Sequence, residues 1–331
     1  MNATIRTVAL VLACAGPAGP WQQAAHAQSW PDKPIRFLCP FPAGGAADVV
    51  TRMLSLKYTE ALGRQVVVDN RAGAGGNIGV ELAARAVPDG HTILLASSSN
   101  FAFAPSLEAN LPYDPLRDFA PIALAVLVPN ILVAHPSVPV QSVKDLIALA
   151  KASPGTITFA SPGTGTTSHL IGELFARSAG IKLVHIPYKG GAPASNDLLG
   201  GHVQLLFGSV STSLPHVKAG RLKALGVTSA RRSEAAPEVP TLAESGLPGF
   251  EVVQWFGVTA PAATPAAIVK RLNAETVRAL AAADFREGLI RQGLDPAAAN
   301  SPQQFGTYMR DEIARWARFF KEAGLKLEQV R

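Results

Sequence analysis

The stretch Pro34-Ile35-Arg36-Phe37-Leu38-Cys39, followed at once by Pro40-Phe41-Pro42-Ala43-Gly44-Gly45-Ala46-Ala47-Asp48, decides how this chain is read. Its first six residues predict a short buried strand. The glycine–alanine run then leads into a helical segment from Val49 to Leu62, which Gly63 closes. Glycine and alanine let a ligand approach the backbone closely, and the unbonded N–H groups of a helix start favour an anion. A P-loop would require Lys-Ser or Lys-Thr after its glycines, and neither is present. The pattern suits a smaller anion held by backbone amides, such as a carboxylate.

The same arrangement recurs further along. Thr156-Ile157-Thr158-Phe159-Ala160 is strand-like by its β-branched and aromatic content. Ser161-Pro162-Gly163-Thr164-Gly165-Thr166-Thr167-Ser168 follows, dense in hydroxyls and glycine, before an apolar-periodic helix that opens with His169-Leu170-Ile171. Taken singly, each loop reads equally well as a tight turn between strand and helix. As a pair they predict two cradles that face each other across a cleft, since ligands in open α/β sheets favour the carboxyl ends of strands.

Outward from these loops, β-rich runs alternate with helical ones almost throughout, which predicts α/β sheets covered by helices on both faces. Strands are expected at residues 65–69, 92–96, 131–134, 203–207, 222–228 and 250–258, and a helical tail follows Pro261. Ser142 with Asp145 and Ser301 with Gln304 have capping-box spacing. The two cradles and the late strand predict two lobes, 28–129 with 246–331 and 130–245. The chain would cross between them near Pro129 and return between Gly246 and Gln254.

At the start, residues 1–27 read as a secretory signal. Arg6 is the only formal side-chain charge there, Val8 to Ala15 is apolar, and Ala25-His26-Ala27 is a cleavage signal before Gln28. Val11-Leu12-Ala13-Cys14 is a partial lipobox, so a lipid anchor on Cys14 is the competing expectation. With 331 residues, 48% of them hydrophobic, the chain is long enough for two cores. Removing Arg6 from the 30 basic residues leaves 29 against 24 acidic ones, a net charge of +5. That excess is scattered, its longest cluster being Arg231-Arg232, so a nucleic-acid partner is not expected.

Catalytic signatures are weak. Cys39 lies inside an apolar strand and reads as a small buried hydrophobe. A dinucleotide fingerprint from Gly73-x-Gly75 meets Ile78 where its third glycine belongs, and the glycine comes one residue late at Gly79. The histidines lie singly, without metal-ligand spacing, and no cofactor is expected. Asp48 is either a general base or, on the favoured reading, a cap that fixes the first loop; His169 either lines the second loop or packs at the helix start.

Several ordered motifs carry a resemblance over Pro31 to Gly324. They are Pro34-Ile35-Arg36, the run from Pro40 to Asp48, Val68-x-Asn70-Arg71-x-Gly73-Ala74-Gly75-Gly76-Asn77-Ile78-Gly79, and Pro88-Asp89-Gly90. Ser168-His169-Leu170, the run from His185 to Pro193, and Pro240-Thr241-x-x-Glu244-x-Gly246 complete the set. The chain resembles the receptors of tripartite tricarboxylate transporters, the Bug family. The resemblance implies a monomeric, non-catalytic periplasmic solute-binding protein. Its fold would be two α/β lobes of the periplasmic-binding-protein (Venus flytrap) type, joined by two crossing hinge strands.

By the same resemblance, the ligand carboxylate would be held by Phe41, Ala43, Gly44, Gly45, Ala46, Ala47 and Asp48 in the first loop. Ser161, Gly163, Thr164, Gly165, Thr166, Thr167 and Ser168 would hold it from the second. The hydroxyls of Thr164, Thr166 and Ser168 are the expected donors. Selectivity would come from Ser97 to Asn100, from Phe207-Gly208-Ser209 and from Gln254-Trp255 at the cleft mouth. Gly208 departs from the family, whose members commonly carry Asp there, which points to a ligand without a cation. The implied partners are a small organic carboxylate and membrane transporter subunits. A membrane sensor is the alternative partner, and an exported α/β enzyme the alternative class.

Overall fold

The computed structural model describes residues 30–164, 166–188 and 190–323. The expected leader with Cys14, Gly165, Lys189 of the His185–Pro193 motif and residues 324–331 lie outside them. In chain order the first elements are β1 (Ile35–Cys39), α1 (Ala46–Leu62), β2 (Val66–Asn70), α2 (Asn77–Ala84), β3 (Thr92–Ser97), α3 (Ala104–Leu107) and β4 (Phe119–Ala134). Next come α4 (Val143–Ala152), β5 (Thr158–Ser161), α5 (Thr167–Ala179), β6 (Val184–Pro187), α6 (Gly191–Leu199), β7 (Leu205–Ser209), α7 (Val210–Lys218) and β8 (Lys223–Val227). The chain closes with β9 (Val253–Pro261), α8 (Ala266–Ala281), α9 (Ala283–Arg291), β10 (Asp295–Pro296) and α10 (Pro302–Ala323).

The strands form one curled sheet in the order β2-β1-β3-β9-β4-β7-β5-β6, with β8 and β10 also paired to β4. Its hub is β4, at 16 residues far longer than the strand of four residues that the sequence predicts there. Phe119 to Pro129 pairs antiparallel with β9, and Asn130 to Ala134 pairs with β7 and β8. One strand therefore serves both halves of the sheet, and it changes partners between Pro129 and Asn130. The return crossing is equally sharp. Val252 donates its N–H to Thr228 O at 2.9 Å in the second half, and Val253 next to it pairs with Pro129 in the first. The fold is the two-part α/β architecture with two crossing strands that the resemblance implies.

Apolar periodicity accounts for the packing. Phe37, Val50, Leu54, Ile93 and Val258 form a core between α1, α8 and the first half of the sheet. The opposite face carries α10, which packs on β4, sets Phe305 against Trp255 of β9, and sets Trp316 and Phe320 against Phe103 just before α3. Gly257 lets that helix come close, since a Cβ there would stand 2.2 Å from the Phe305 ring. Ile131, Val133, Leu198, Leu206 and Val210 make the second half's core. Both expected capping boxes are present. Asp145 N–H reaches Ser142 Oγ at 3.2 Å, and Ser301 N–H reaches Gln304 Oε1 at 2.7 Å. Each such cap stabilises its helix by about 1 kcal/mol.

Candidate functional site

Strand direction brings the predicted loops to one place. β1 and β3 run parallel, and Ser97 at the carboxyl end of β3 stands beside Phe256 near the start of β9. On the other half, Ser209 at the carboxyl end of β7 stands beside Asn130, and β5 runs parallel to β7. The loops that leave β1, β3, β5 and β7 thus all emerge at the seam where β4 and the chain before β9 cross. This is where an α/β sheet places its ligands.

The first loop is built around Asp48. Helix α1 begins at Ala46, three residues before the expected Val49, because Gly45 takes an extended N-cap conformation (φ −88°, ψ 173°) and Gly44 a positive φ of 88°. The first helical bond, Val49 N–H to Gly45 O at 3.0 Å, leaves the amides of Ala46, Ala47 and Asp48 ahead of it. Asp48 Oδ2 accepts from Gly44 N–H and from Arg52 Nε, both at 2.9 Å. Its Oδ1 accepts from Asn70 Nδ2 at 3.0 Å, and the same Nδ2 donates to Phe41 O at 3.0 Å. Burial would raise this carboxyl, but bonds from Arg52, Gly44 and Asn70 outweigh it and hold Asp48 below the usual carboxylate range. With both oxygens engaged, Asp48 fixes the loop. Ala43 to Ala46 stay exposed, Ala47 is buried, and the Phe41 ring packs edge-on against Phe256 at 6.4 Å.

In the second loop, most of the hydroxyls turn inward. Helix α5 starts after Thr166, and Leu170 N–H to Thr166 O at 3.0 Å leaves the amides of Thr167, Ser168 and His169 ahead of its first bond. Thr166 donates its hydroxyl to Gly163 O at 2.7 Å, and Ser168 donates its own to Phe207 O. Ser161 is buried, 2.6 Å from His185 Nε2 and 3.0 Å from Gly163 O. Thr164 is exposed on the turn and Thr167 is half-buried. A hydroxyl has one proton to give. In this arrangement Thr166 and Ser168 spend theirs on carbonyls, which leaves the backbone amides and the Thr164 and Thr167 hydroxyls to meet an anion.

The seam's remaining side chains are also tied. Ser97 is buried and donates to Asn100 Oδ1 at 2.7 Å, while Asn100 Nδ2 reaches Gly75 O at 2.9 Å and Asn77 Oδ1 at 3.0 Å. The Tyr113 hydroxyl completes that knot, 2.7 Å from Asn77 Oδ1. Ser209 caps α7 and lies 2.8 Å from Thr212 Oγ1. At Gly208 the place of a side chain is taken by Ser213, whose Oγ would stand 2.4 Å from an added Cβ. Asn130 escaped the sequence reading. Its Nδ2 donates at 3.1 Å to the same Phe207 carbonyl that Ser168 holds. A polar residue inside the apolar run Val128-Pro129-Asn130-Ile131-Leu132 was the available signal.

Cys39 is buried, with no exposed thiol surface, and its thiol is pushed up by burial, in keeping with a packing role. Among the described residues no group of His, Cys, Asp and Glu could hold a metal, and no helix is long and apolar enough to cross a membrane. A cavity of about 520 Å³ lies elsewhere, between the later half of α5, the 246–251 connection and α10, and holds none of the predicted residues.

Comparison with known proteins agrees with this fold. Residues 50–325 match the family described as tripartite tricarboxylate transporter family receptor. The chain is 40% identical to protein BugT of Bordetella pertussis over 329 residues, 99% of each chain. A protein of R. palustris solved with adipate is 36% identical, with a TM-score of 0.76 over 89% of this chain and 98% of that one. MatC from Rhodopseudomonas palustris, solved with bound malate, is 30% identical, with a TM-score of 0.71 over 87% of this chain and 99% of that one. The matching family is one of receptors and not of enzymes.

Proposed function

We propose that this chain, which belongs to the tripartite tricarboxylate transporter receptor family, is a periplasmic receptor that captures an organic anion by its carboxylate. The observation that carries the reading is the convergence of two helix starts, α1 and α5, on one seam of the sheet. The amides of Ala46, Ala47 and Asp48 would grip from lobe 28–129 plus 246–331, and those of Thr167 and Ser168 from lobe 130–245. Gly44, Gly45 and Gly163 shape the two walls, and Phe41 and Gln254 stand at the rim. Within the expected mono- and dicarboxylates, aromatic ones included, the adipate and malate held by the two relatives favour aliphatic dicarboxylates as the ligand class. The exported chain acts as a monomer without cofactor and delivers its ligand to membrane transporter subunits.

The physics of capture requires no chemistry. Helix-start amides carry partial positive charge and are directed at the ligand before it arrives, so little reorganisation opposes binding. Closing the lobes then removes water and strengthens each hydrogen bond in a lower dielectric. A thermal-shift screen of mono- and dicarboxylates, headed by adipate and malate, tests the reading. A ligand at ~100 times its dissociation constant stabilises the fold by about 2.7 kcal/mol. A flat response across the carboxylates with a shift from sugars or cations defeats it, as does turnover of any bound compound.

A further inference from the structure

Behind the second loop lies a polar cluster that the capture reading does not use. His185 on β6 and His169 on α5 stack with ring centroids 4.0 Å apart, and Phe159 of β5 stacks on His185 at 5.0 Å. Gly172 makes this possible, because a Cβ there would stand 2.2 Å from the Phe159 ring and hold α5 off the sheet. His169 Nε2 lies 3.7 Å from Glu173 Oε1, and the nearby His169 ring holds Glu173 below the usual carboxylate range against its burial. His169 and Glu173 are the titratable groups facing His185. The neighbouring strands β5 and β7 bring only hydroxyl and apolar side chains, and Asp197 on α6 is taken by the Tyr188 hydroxyl at 2.7 Å.

Ser161 connects this cluster to the loop. Its Oγ accepts from Gly163 N–H at 3.1 Å, and its single proton has two possible acceptors, His185 Nε2 at 2.6 Å and Gly163 O at 3.0 Å. Gly163 O also receives the Thr166 hydroxyl and the Thr166 N–H, at 2.7 and 3.3 Å, and Thr166 is the N-cap of α5. With a neutral ring protonated on Nδ1, Nε2 is the acceptor and the shorter contact takes the proton, so Ser161 donates to His185. With a protonated ring Nε2 donates instead, and the Ser161 proton turns to Gly163 O. The charge on His185 thus decides how many hydrogen bonds hold the turn that starts α5.

We propose that His185 is a positioning residue for the anion site: through Ser161 it sets the second loop, and it takes up one proton from solvent when an anion is loaded there. The inference rests on the receptor reading. A bound anion favours an imidazolium at His185 behind the loop, and Glu173 balances that charge. In the unloaded protein burial, and then His169, lower His185 to about 4, so the ring is neutral at neutral pH and free to gain a proton on loading. Linkage makes the consequence reciprocal: loading raises proton affinity, and falling pH strengthens capture.

The test is calorimetric titration of the full mature chain and of His185→Gln, which cannot titrate, with the strongest binder of a panel that includes adipate and malate. Measurements run at pH 5.5 and 8 and in two buffers of different ionisation heat. The wild type is expected to bind about threefold or more tightly at the lower pH, beyond any change His185→Gln shows, and to absorb protons on binding. The glutamine chain loses both effects. Matching pH profiles, or no proton uptake by the wild type, overturn the proposal and leave the receptor reading intact. A wild type that binds no carboxylate defeats that reading, and this inference with it. If His185→Gln does not fold, Ser161→Ala, which leaves both rings in place and cuts their link to the loop, carries the same comparison.

Discussion

Ser168 shows what one proton decides. Its hydroxyl bridges α5 to β7 by donating to Phe207 O, a carbonyl that Asn130 Nδ2 also reaches at 3.1 Å. The sequence reading makes Ser168 a direct donor to the ligand. The structure engages its proton on a carbonyl, and on the proposed reading the loop's backbone amides would meet the ligand instead. Ser168→Ala is therefore expected to cost about 1 kcal/mol of stability, with Asn130 still satisfying the carbonyl. Its effect on carboxylate affinity should stay within about threefold, where a lost hydrogen bond to a charged ligand would cost tenfold or more. Calorimetry beside thermal melting separates the two: a tenfold loss of affinity at unchanged melting temperature restores the direct-contact reading. Asp48 illustrates the same rule, because a carboxylate with three donors of its own is architecture and not a base.

Among the elements, the two-residue strand β10 ties the halves together. It pairs with Val126 and Leu127 of β4, and Asp295 Oδ1 accepts from Ser233 Oγ at 2.9 Å and from Glu234 N–H at 3.1 Å. Glu234 in turn pairs with Arg286 of α9 at 2.8 Å. Burial pushes the Asp295 carboxyl up to about 6, against the pull of those donors. A carboxyl raised above its unfolded value favours the fold while protonated. Its contribution is whole below the ordinary value near 4 and is lost as pH rises towards 6, at up to about 1.4 kcal/mol per pH unit. Asp295→Asn is expected to flatten the stability profile in that window and to match or exceed the wild type at pH 7. Denaturant melts at pH 4, 5, 6 and 7 check it, and a parallel fall in both proteins sinks the assignment. At this scale the sequence was legible where local rules act alone. The glycine loops and the capping boxes at Ser142 and Ser301 appear where they were read. It was least legible in β4, because Pro121 and Pro129 break the strand pattern. The structure absorbs Pro121 at a register shift against β9, and Pro129 where β4 changes partners, places at which a ladder bond is not required. Hydroxyl orientation in the second loop was illegible for a different reason. Its acceptors, Phe207 O and Gly163 O, are set by tertiary packing and leave no mark on the spacing of serines and threonines.

For the whole molecule, the question is what a ligand does to the angle between the halves. The chain crosses twice, at Pro129–Asn130 and at Val252–Val253, and these two neighbouring points form a natural axis. The helix starts that would grip an anion lie on opposite sides of it, so the amides of α1 and α5 meet one carboxylate together only when the halves approach. A ligand shifts this equilibrium by its differential affinity for the closed form and by nothing else. Closure would in turn give a membrane partner a surface that exists only when the receptor is loaded. Small-angle scattering on the mature chain, with and without a carboxylate confirmed by thermal shift, is expected to show a smaller radius of gyration in the loaded sample. Asp295 bonds Ser233 and Glu234 across the two halves, and Asp295→Asn, which keeps an acceptor for both donors, should preserve the contraction. Superimposable profiles at saturating ligand would mean that the halves do not move about Pro129 and Val252, and the hinge would have to be abandoned.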